Sequence, residues 1–386
     1  MVGQSTHVVV IGGGIAGSAA ALALHRAGIG VTVYEQHPRT AGDLGAFLTL
    51  ASNGMRALAQ IGLAGPVGRA GFGLTEFSAM DESGTVLMTR PLGEHADPLT
   101  RFRCLRWSEL TAALQSEVVR QGITLRHGAS FVSARTDDDA VTATFADGST
   151  VTADLLLGAD GIGSGVRALI DPGAATPRYA GQRVFYGYTD VFSPPTGPGR
   201  ITMVRGKAAS FGYTVSPEGL TYWFARQTAD ALPDGAGVAV PPELRAELIA
   251  ALRLDSTPTA GIVEATGDIL VTNTGDLPDV AAWSRGRMLL IGDAAHAASP
   301  ATGQGASMAF EDAVVLAKAL RDSASVHDAV GLYEAVRRPR TQRNMDASAA
   351  MSKGQRPPSS PSSPTSPAHD DETLARQIDW DTPLTA

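Results

Sequence analysis

Val8-Val-Val-Ile-Gly-Gly-Gly-Ile-Ala-Gly17 runs four branched apolar residues straight into a glycine cluster, and its reading decides the fold. A short apolar run bounded by turn residues reads as a strand buried on both faces, as in a parallel sheet. The glycines have G-x-G-x-x-G spacing and open an apolar helix over 18–27. Gly12 permits the tight turn, Gly14 lets the backbone approach a pyrophosphate, and Gly17 lets the helix pack on the strand. A second strand over 31–35 ends in Glu35, about twenty residues on, where a carboxylate can accept from an adenosine ribose hydroxyl. Strand, glycines, helix, strand and terminal acid in that order predict a dinucleotide-binding βαβ unit.

A second decisive stretch lies far along the chain. Arg287-Met-Leu-Leu-Ile-Gly-Asp293 reads as a strand with a carboxylate at its tip, and Gly303-Gln-Gly305 then opens an amphipathic helix. The first N–H groups of such a helix point into the preceding loop and suit an anionic or polar ring edge. A carboxylate followed by a helix start is what a cofactor with a polyol and an electron-accepting ring needs. An ordinary strand–loop–helix connection is the other reading.

Between these ends, Cys104-Leu-Arg-Trp-Ser-Glu-Leu110 places Arg106 just before a helix that Ser108 can cap. A strand over 153–157 runs into Gly158-Ala-Asp-Gly161, so Asp160 is a second acid at a strand tip, and a capped turn explains it equally well. Alternation of period two from about 178 to 273 predicts an antiparallel sheet, interrupted by a helix over 242–252. On it Phe211 and Tyr213 share one face of their strand, and Tyr222, Phe224 and Arg226 share one face of the next. Gly62-Leu-Ala-Gly65 and Gly71-Phe-Gly73 read as turns. Two helices follow, at about 306–321 and 327–351. The arginines at 337, 338, 340 and 343 read as a solvated face paired with nearby acids. The tail 352–386 holds Pro-Pro-Ser-Ser-Pro-Ser-Ser-Pro at 357–364 and is expected to be disordered, although Ile378, Trp380 and Leu384 could dock a last short segment.

The chain has 386 residues, 44% of them hydrophobic and 18% charged, which suits a globular two-domain enzyme. A net charge of −8 without a compensating basic block excludes a broad nucleic-acid surface. Cys104 is the only cysteine, so neither an internal disulfide nor a thiolate metal cluster is possible. No apolar run reaches the roughly 18 residues that span a bilayer, and no basic leader precedes the first strand. A cytoplasmic protein without membrane insertion, a monomer or weak dimer, is expected.

Taken together, Gly12-x-Gly14-x-x-Gly17 with Glu35, Arg106 ahead of a helix, Gly158-Ala-Asp160-Gly161, and Gly292-Asp293-Ala-Ala-His296 with Pro300 and Gly303-Gln-Gly305 form a set. It resembles the single-component FAD-dependent aromatic monooxygenases, the para-hydroxybenzoate and salicylate hydroxylase family, over about residues 5–350. The resemblance implies an α/β fold: a Rossmann-type, GR2-like FAD-binding domain in three ββα layers, interleaved with an antiparallel-sheet substrate domain and followed by C-terminal helices. The FAD-binding domain would take 1–70, 101–177 and 274–351, and the substrate domain 71–100 and 178–273. By the same resemblance Gly12, Gly14, Ala16 and Gly17 cradle the FAD pyrophosphate, and Glu35 with Gln36 meets the adenosine ribose. Arg106 reaches the phosphate or ribityl chain, and Asp293 holds the ribityl hydroxyls. Pro300, Gly303, Gln304, Gly305 and Ala306 lie beside the isoalloxazine, Asp160 serves FAD and the nicotinamide, and Thr49 and Phe131 complete the cofactor set. His296 is expected to pack and hydrogen-bond in the loop. Where relatives often carry Gly-Ala-Gly, this chain has Gly45-Ala-Phe47, which reshapes the surroundings of the flavin.

Such enzymes spend NADH or NADPH as a transient co-substrate and deliver one oxygen of O2 through a flavin C4a-hydroperoxide. The expected substrate is an aromatic or polyketide-like small molecule, hydroxylated or epoxidised. The pocket is expected between the ring loop and the antiparallel sheet, lined by Phe47, Phe211, Tyr213, Tyr222 and Phe224. Tyr222 and Arg226 are the candidate catalytic residues, and Arg205 is an alternative anchor for an anionic group. A dehydrogenase or halogenase on the same scaffold, or a non-catalytic binding protein like the GDP-dissociation inhibitors, are the rival readings. The four isolated tryptophans speak against the halogenase, and the retained acids and glycines against the binding protein.

Overall fold

The strand His7–Ile11, almost wholly buried, sits inside a six-stranded sheet. It pairs in parallel with Gly30–Glu35 on one side and Leu155–Gly158 on the other. Thr124–His127 and Met288–Leu290 extend the parallel order outward, and Ser284–Arg285 closes the latter edge antiparallel. All four strand ends that matter for chemistry, at Gly12, Glu35, Gly158 and Leu290, therefore point the same way. Ligands gather at that carboxyl edge of a parallel sheet. These observations come from a computed structural model, which describes residues 6–39, 46–93, 97–174, 176–233, 238–278, 280–355 and 367–385.

The helix Ile15–Arg26 is rich in alanine and leucine because it is buried along nearly its whole length. It packs against the central helix Gly305–Asp322, buried from Ser307 to Leu320. On the other face of the sheet lies a three-stranded antiparallel meander, Phe131–Thr136, Val141–Phe145 and Thr150–Ala153. Phe145 of that meander stacks on Tyr34 at 4.3 Å between centroids.

A second, eight-stranded sheet is built mainly from Arg178–Thr189, Arg200–Arg205, Ser210–Val215, Thr221–Thr228 and Ile269–Asp276, antiparallel as the alternation predicts. Glu76–Asp81 joins its edge in parallel with Arg200–Arg205, and Val86–Pro91 lies outermost. The helices Pro242–Leu252 and Thr259–Glu264 cover one face of this sheet. A small sheet faces the other: Phe47–Leu50, Arg103–Arg106 and Gly71–Gly73. Gly71-Phe-Gly73 is thus a strand and not the turn expected. A Cβ at Gly71 would stand 2.3 Å from the Cys104 carbonyl oxygen, so its glycine serves close backbone approach.

The tail needs a correction. Pro367–Ile378 is a helix, and Leu374, Ile378, Trp380 and Leu384 are buried in the main core. Polar anchors complete the docking. Lys318 Nζ donates to the carbonyls of Arg376 and Gln377, and Arg321 donates to that of Trp380. The disorder expected over 352–386 fails for 367–385 because four apolar residues repeat at spacings that seat them together. The Pro/Ser run at 357–364 lies outside the described residues. Replacing Ile378, 2% exposed, by alanine should destabilise the protein by about 2 kcal/mol, the lower end for a core truncation because a peripheral site relaxes. A thermal melt unchanged from the parent would show that this segment does not add to the core.

Candidate active site

The first strand tip is shaped around Gly13. Its N–H donates to Glu35 Oε2 at 2.8 Å, and its carbonyl accepts from Gln115 Nε2 and Ser18 Oγ. Glu35 Oε1 accepts from the His37 N–H, so each carboxylate oxygen holds one donor and keeps a lone pair for another. Gly12 takes a φ of +103°, and a Cβ there would collide with the Ala159 carbonyl oxygen at 2.4 Å. Gly17 has the same problem with Gly12, at 1.9 Å. A Cβ at Gly14 would meet nothing within 4 Å. Two glycines are thus dictated by the protein's own backbone, while Gly14 faces open space, as a pyrophosphate requires. Gln36 is exposed beside this end, and Phe131 packs edge-on against Phe145.

The second strand tip meets the first. Gly292, at a φ of +59°, lies so close to Ala16 that a Cβ would come within 2.7 Å of the Ala16 methyl. Asp293, the next residue, is exposed by surface yet ringed by protein, as a side chain on the floor of a groove is. Burial raises its pKa, His296 opposes the rise and Asp312 adds to it. No hydrogen-bond donor among the described residues contributes to holding its charge. A carboxylate so placed suits a ligand rich in hydroxyl groups. Beyond it, the helix Gly305–Asp322 starts without a side-chain cap on Gln304. Thr49 touches Gly303 of this loop, since a Cβ there would stand 3.3 Å from Thr49 Oγ1.

Under the loop lies a buried charge network. Asp312 Oδ2 accepts from the Gly292 N–H and bonds His296 Nε2 at 2.6 Å, while Asp312 Oδ1 accepts from Arg337 Nε. Arg337 also donates to Glu311 Oε2, and Arg340 grips both Glu311 oxygens. Asn53 ties Glu311 to Gln304 through its amide nitrogen. Burial alone would raise both acids. Arg337 with Arg340 holds Glu311 below the usual range, and His296 with Arg337 drives Asp312 well below it. The arginine run therefore corrects the sequence reading: Arg337 has 0% exposure and is no solvated face.

Between the small sheet and the eight-stranded sheet stands an aromatic cluster. Phe47 lies 5.6 Å from Tyr222 and 5.9 Å from Phe224, and Tyr222 meets Tyr188 at 4.9 Å and Phe72 at 5.3 Å, centroid to centroid. Cross-strand register puts Tyr186 opposite Phe224 and Tyr188 opposite Tyr222, on one face. Burial pushes the hydroxyls of Tyr186, Tyr188 and Tyr222 upward in pKa, so at neutral pH they stay uncharged and are no bases. The Arg106 guanidinium stacks on Tyr188 at 4.4 Å. Arg226 lies over Phe224 and donates to the Pro300 carbonyl at 2.9 Å, which clamps the sheet to the loop. Each of these arginines keeps a buried Nε–H with no acceptor, a deficit that an oxygen of a bound group would remove.

Several expected residues stand elsewhere. Phe211 and Tyr213, at 0% and 1% exposure, pack with Trp223 on the opposite, helix-covered face and do not belong to this cluster. The reason is register: Phe211 opposes Ala225 and Tyr213 opposes Trp223, one residue out of phase with Phe224 and Tyr222. Arg205 is exposed on the strand Arg200–Arg205. Asp160 does lie at the strand tip, its Cα 3.0 Å from where a Gly12 Cβ would stand, and its carboxylate accepts from Ser164 Oγ and the Gly165 and Val166 N–H groups at the start of the helix Gly165–Ile170. Gly45 lies outside the described residues. Conversely, Tyr186, Tyr188 and Phe72 belong to the cluster without having been singled out. The alternation Val184-x-Tyr186-x-Tyr188 was the available signal, and only pairing with Tyr222 distinguishes its face. Among the described residues no group of three or more His, Cys, Asp or Glu could hold a metal, and no helix is long and apolar enough to cross a membrane.

Comparison with known proteins agrees with this geometry. Residues 5–348 match the family model for the FAD binding domain. The chain is 34% identical to the aurachin C monooxygenase/isomerase of Stigmatella aurantiaca over 86% of this chain and 84% of that one. It is 30% identical to the 6-hydroxynicotinate 3-monooxygenase of Bordetella bronchiseptica, covering 87% and 88%. The solved structure of Klebsiella pneumoniae HpxO complexed with FAD and uric acid superposes with a TM-score of 0.80 at 25% identity, over 99% of this chain and 95% of that one. Mixed α/β architecture, matched family model and relatives of this kind lead to one conclusion: the chain belongs to the FAD-binding-domain family of FAD-dependent aromatic monooxygenases.

Proposed function

We propose that this monooxygenase places one oxygen atom of O2 on a flat, electron-rich aromatic or polyketide-like molecule, held between the small sheet and the eight-stranded sheet, with NADH or NADPH as electron source. Bound FAD supplies the redox chemistry and the activation of oxygen. Glu35 takes the adenosine ribose, the turn at Gly12–Gly17 the diphosphate, and Asp293 the ribityl hydroxyls. The uncapped start of the helix at Gly305 would offer its N–H groups to the polar edge of the ring. The observation that carries the reading is Asp293: an accessible carboxylate without a donor among the described residues, beside the very turn where Gly14 leaves room.

In this reading the aromatic cluster excludes water and orients the substrate ring. Tyr222 and Tyr188, protonated at neutral pH, donate to a substrate oxygen, and Arg226 offers its unpaired N–H to an anionic group. The GR2-like three-layer arrangement and the division at 1–70, 101–177 and 274–351 against 71–100 and 178–273 are part of the proposal. The separate six-stranded and eight-stranded sheets support it.

The test is turnover of a panel of aromatic and polyketide compounds under isotopically labelled O2. One labelled atom per product, with one reduced nicotinamide consumed, is expected. Product that gains an oxygen atom without the label would contradict it. With the substrate so found, Tyr222→Phe should weaken kcat/KM about fivefold, the worth of one neutral hydrogen bond of about 1 kcal/mol. Unaltered kcat/KM would remove Tyr222 from the site.

A further inference from the structure

A separate cavity of about 520 Å³ opens on the far side of the flavin loop, where Gln304 meets the start of the helix Ser52–Gln60. Arg56, Arg340 and Arg343 line it, and Asp371 is the one acid among its described lining residues. Arg340 also pairs with Glu311, which it shares with Arg337. The helix Ser52–Gln60 has no side-chain cap and no acid in its first turn, so its positive end adds to the field. Ser52 is 7% exposed, lines the cavity, and its hydroxyl has no partner. Cationic side chains, a helix start and an idle buried hydroxyl together make a site for a ligand with several negative charges.

The aromatic substrate does not need such a site, because the reading above places its ring at the aromatic cluster around Phe47 and Tyr222. The chain carries one dinucleotide fingerprint, at Gly12–Gly17, and the flavin takes it. The remaining polyanion of the reaction is the reduced nicotinamide dinucleotide, which must reach the flavin loop and leave again. We infer that this cavity receives its phosphates and directs its nicotinamide ring toward the loop at Pro300–Ala306. The inference rests on the reading above. The redox balance is that of the proposed reaction: a hydride, two electrons, passes from the dihydronicotinamide to the flavin. One atom of O2 then enters the substrate, and the other leaves as water with a proton from solvent.

The test uses the FAD-loaded enzyme and two variants, Arg343→Glu and Ser52→Ala. Arg343 is exposed, so its replacement leaves the core intact. Arg343→Glu should raise the KM for reduced nicotinamide about tenfold or more and weaken calorimetric binding of ADP-ribose equally, with flavin content and aromatic-substrate KM unchanged. Ser52→Ala should move the same two quantities in the same direction by a smaller factor. Parental KM and ADP-ribose affinity in both variants would overturn the cavity's role and leave the monooxygenase reading standing. A parent enzyme that binds ADP-ribose but oxidises neither NADH nor NADPH would overturn that reading instead.

Discussion

Arg337→Met should destabilise the protein by about 3–5 kcal/mol, the loss expected when one partner of a fully buried ion pair is removed. The side chain volume is kept, so the loss is electrostatic. Arg337 donates to Asp312 and Glu311, all three at 0% exposure, and without it two carboxylates are left underpaired in the interior. The sign of the pH dependence follows. Both acids are held below their ordinary range, so their contribution to stability is present above that range and is lost as pH falls through their depressed values. In the variant, acid protonates the stranded carboxylates and relieves them. The stability gap between parent and variant should therefore narrow below about pH 4, the ordinary carboxylate range. Denaturant melts at neutral and acid pH check this. A gap that widens in acid, or a variant as stable as its parent, would mean that the network is not the charged assembly described. Adding Asp312→Asn to the variant should recover part of the loss.

Asp293→Ala should weaken FAD binding by about 2–3 kcal/mol, roughly 30- to 150-fold, through loss of charged hydrogen bonds to the ribityl hydroxyls. Asp293 has no protein donor to satisfy, so removing it costs the fold little, and apoprotein stability should stay near that of the parent. That separates it from Arg337→Met, which acts on the fold first. Asp293→Asn keeps an acceptor oxygen and should fall between. The readout is the flavin-to-protein ratio after dialysis, with apoprotein melting as the control. A full complement of flavin in the alanine variant would show that Asp293 serves something else.

What could be read from the sequence was whatever depends on local spacing. Gly12, Gly14, Gly17 and Glu35 lie within one βαβ unit, so their roles follow from the turn they make. Asp293 and the helix start at Gly305 were legible for the same reason. Quantities set by pairing between distant segments were not. Whether Phe211 or Phe224 faces the pocket depends on one residue of register, and alternation alone leaves the choice of face open. Arg337 sits in a run of arginines that resembles a wet helix surface. It is buried because Glu311 and Asp312, a helix away, face it. The tail was misread because composition weighs its Pro/Ser run more heavily than Leu374, Ile378, Trp380 and Leu384, which decide its fate once a core is there to receive them. Asp160 was ambiguous on spacing, and its two oxygens are taken up by Ser164, Gly165 and Val166.

The central claim is that one FAD spans the two strand tips, from Glu35 to Asp293. A crystal structure of the flavin-loaded protein tests it most directly. The ribose hydroxyls should lie within hydrogen-bond distance of the Glu35 carboxylate and a ribityl hydroxyl within the same reach of Asp293, with the ring against Gly303–Ala306. A flavin that contacts only one of these two acids, or neither, would contradict the account.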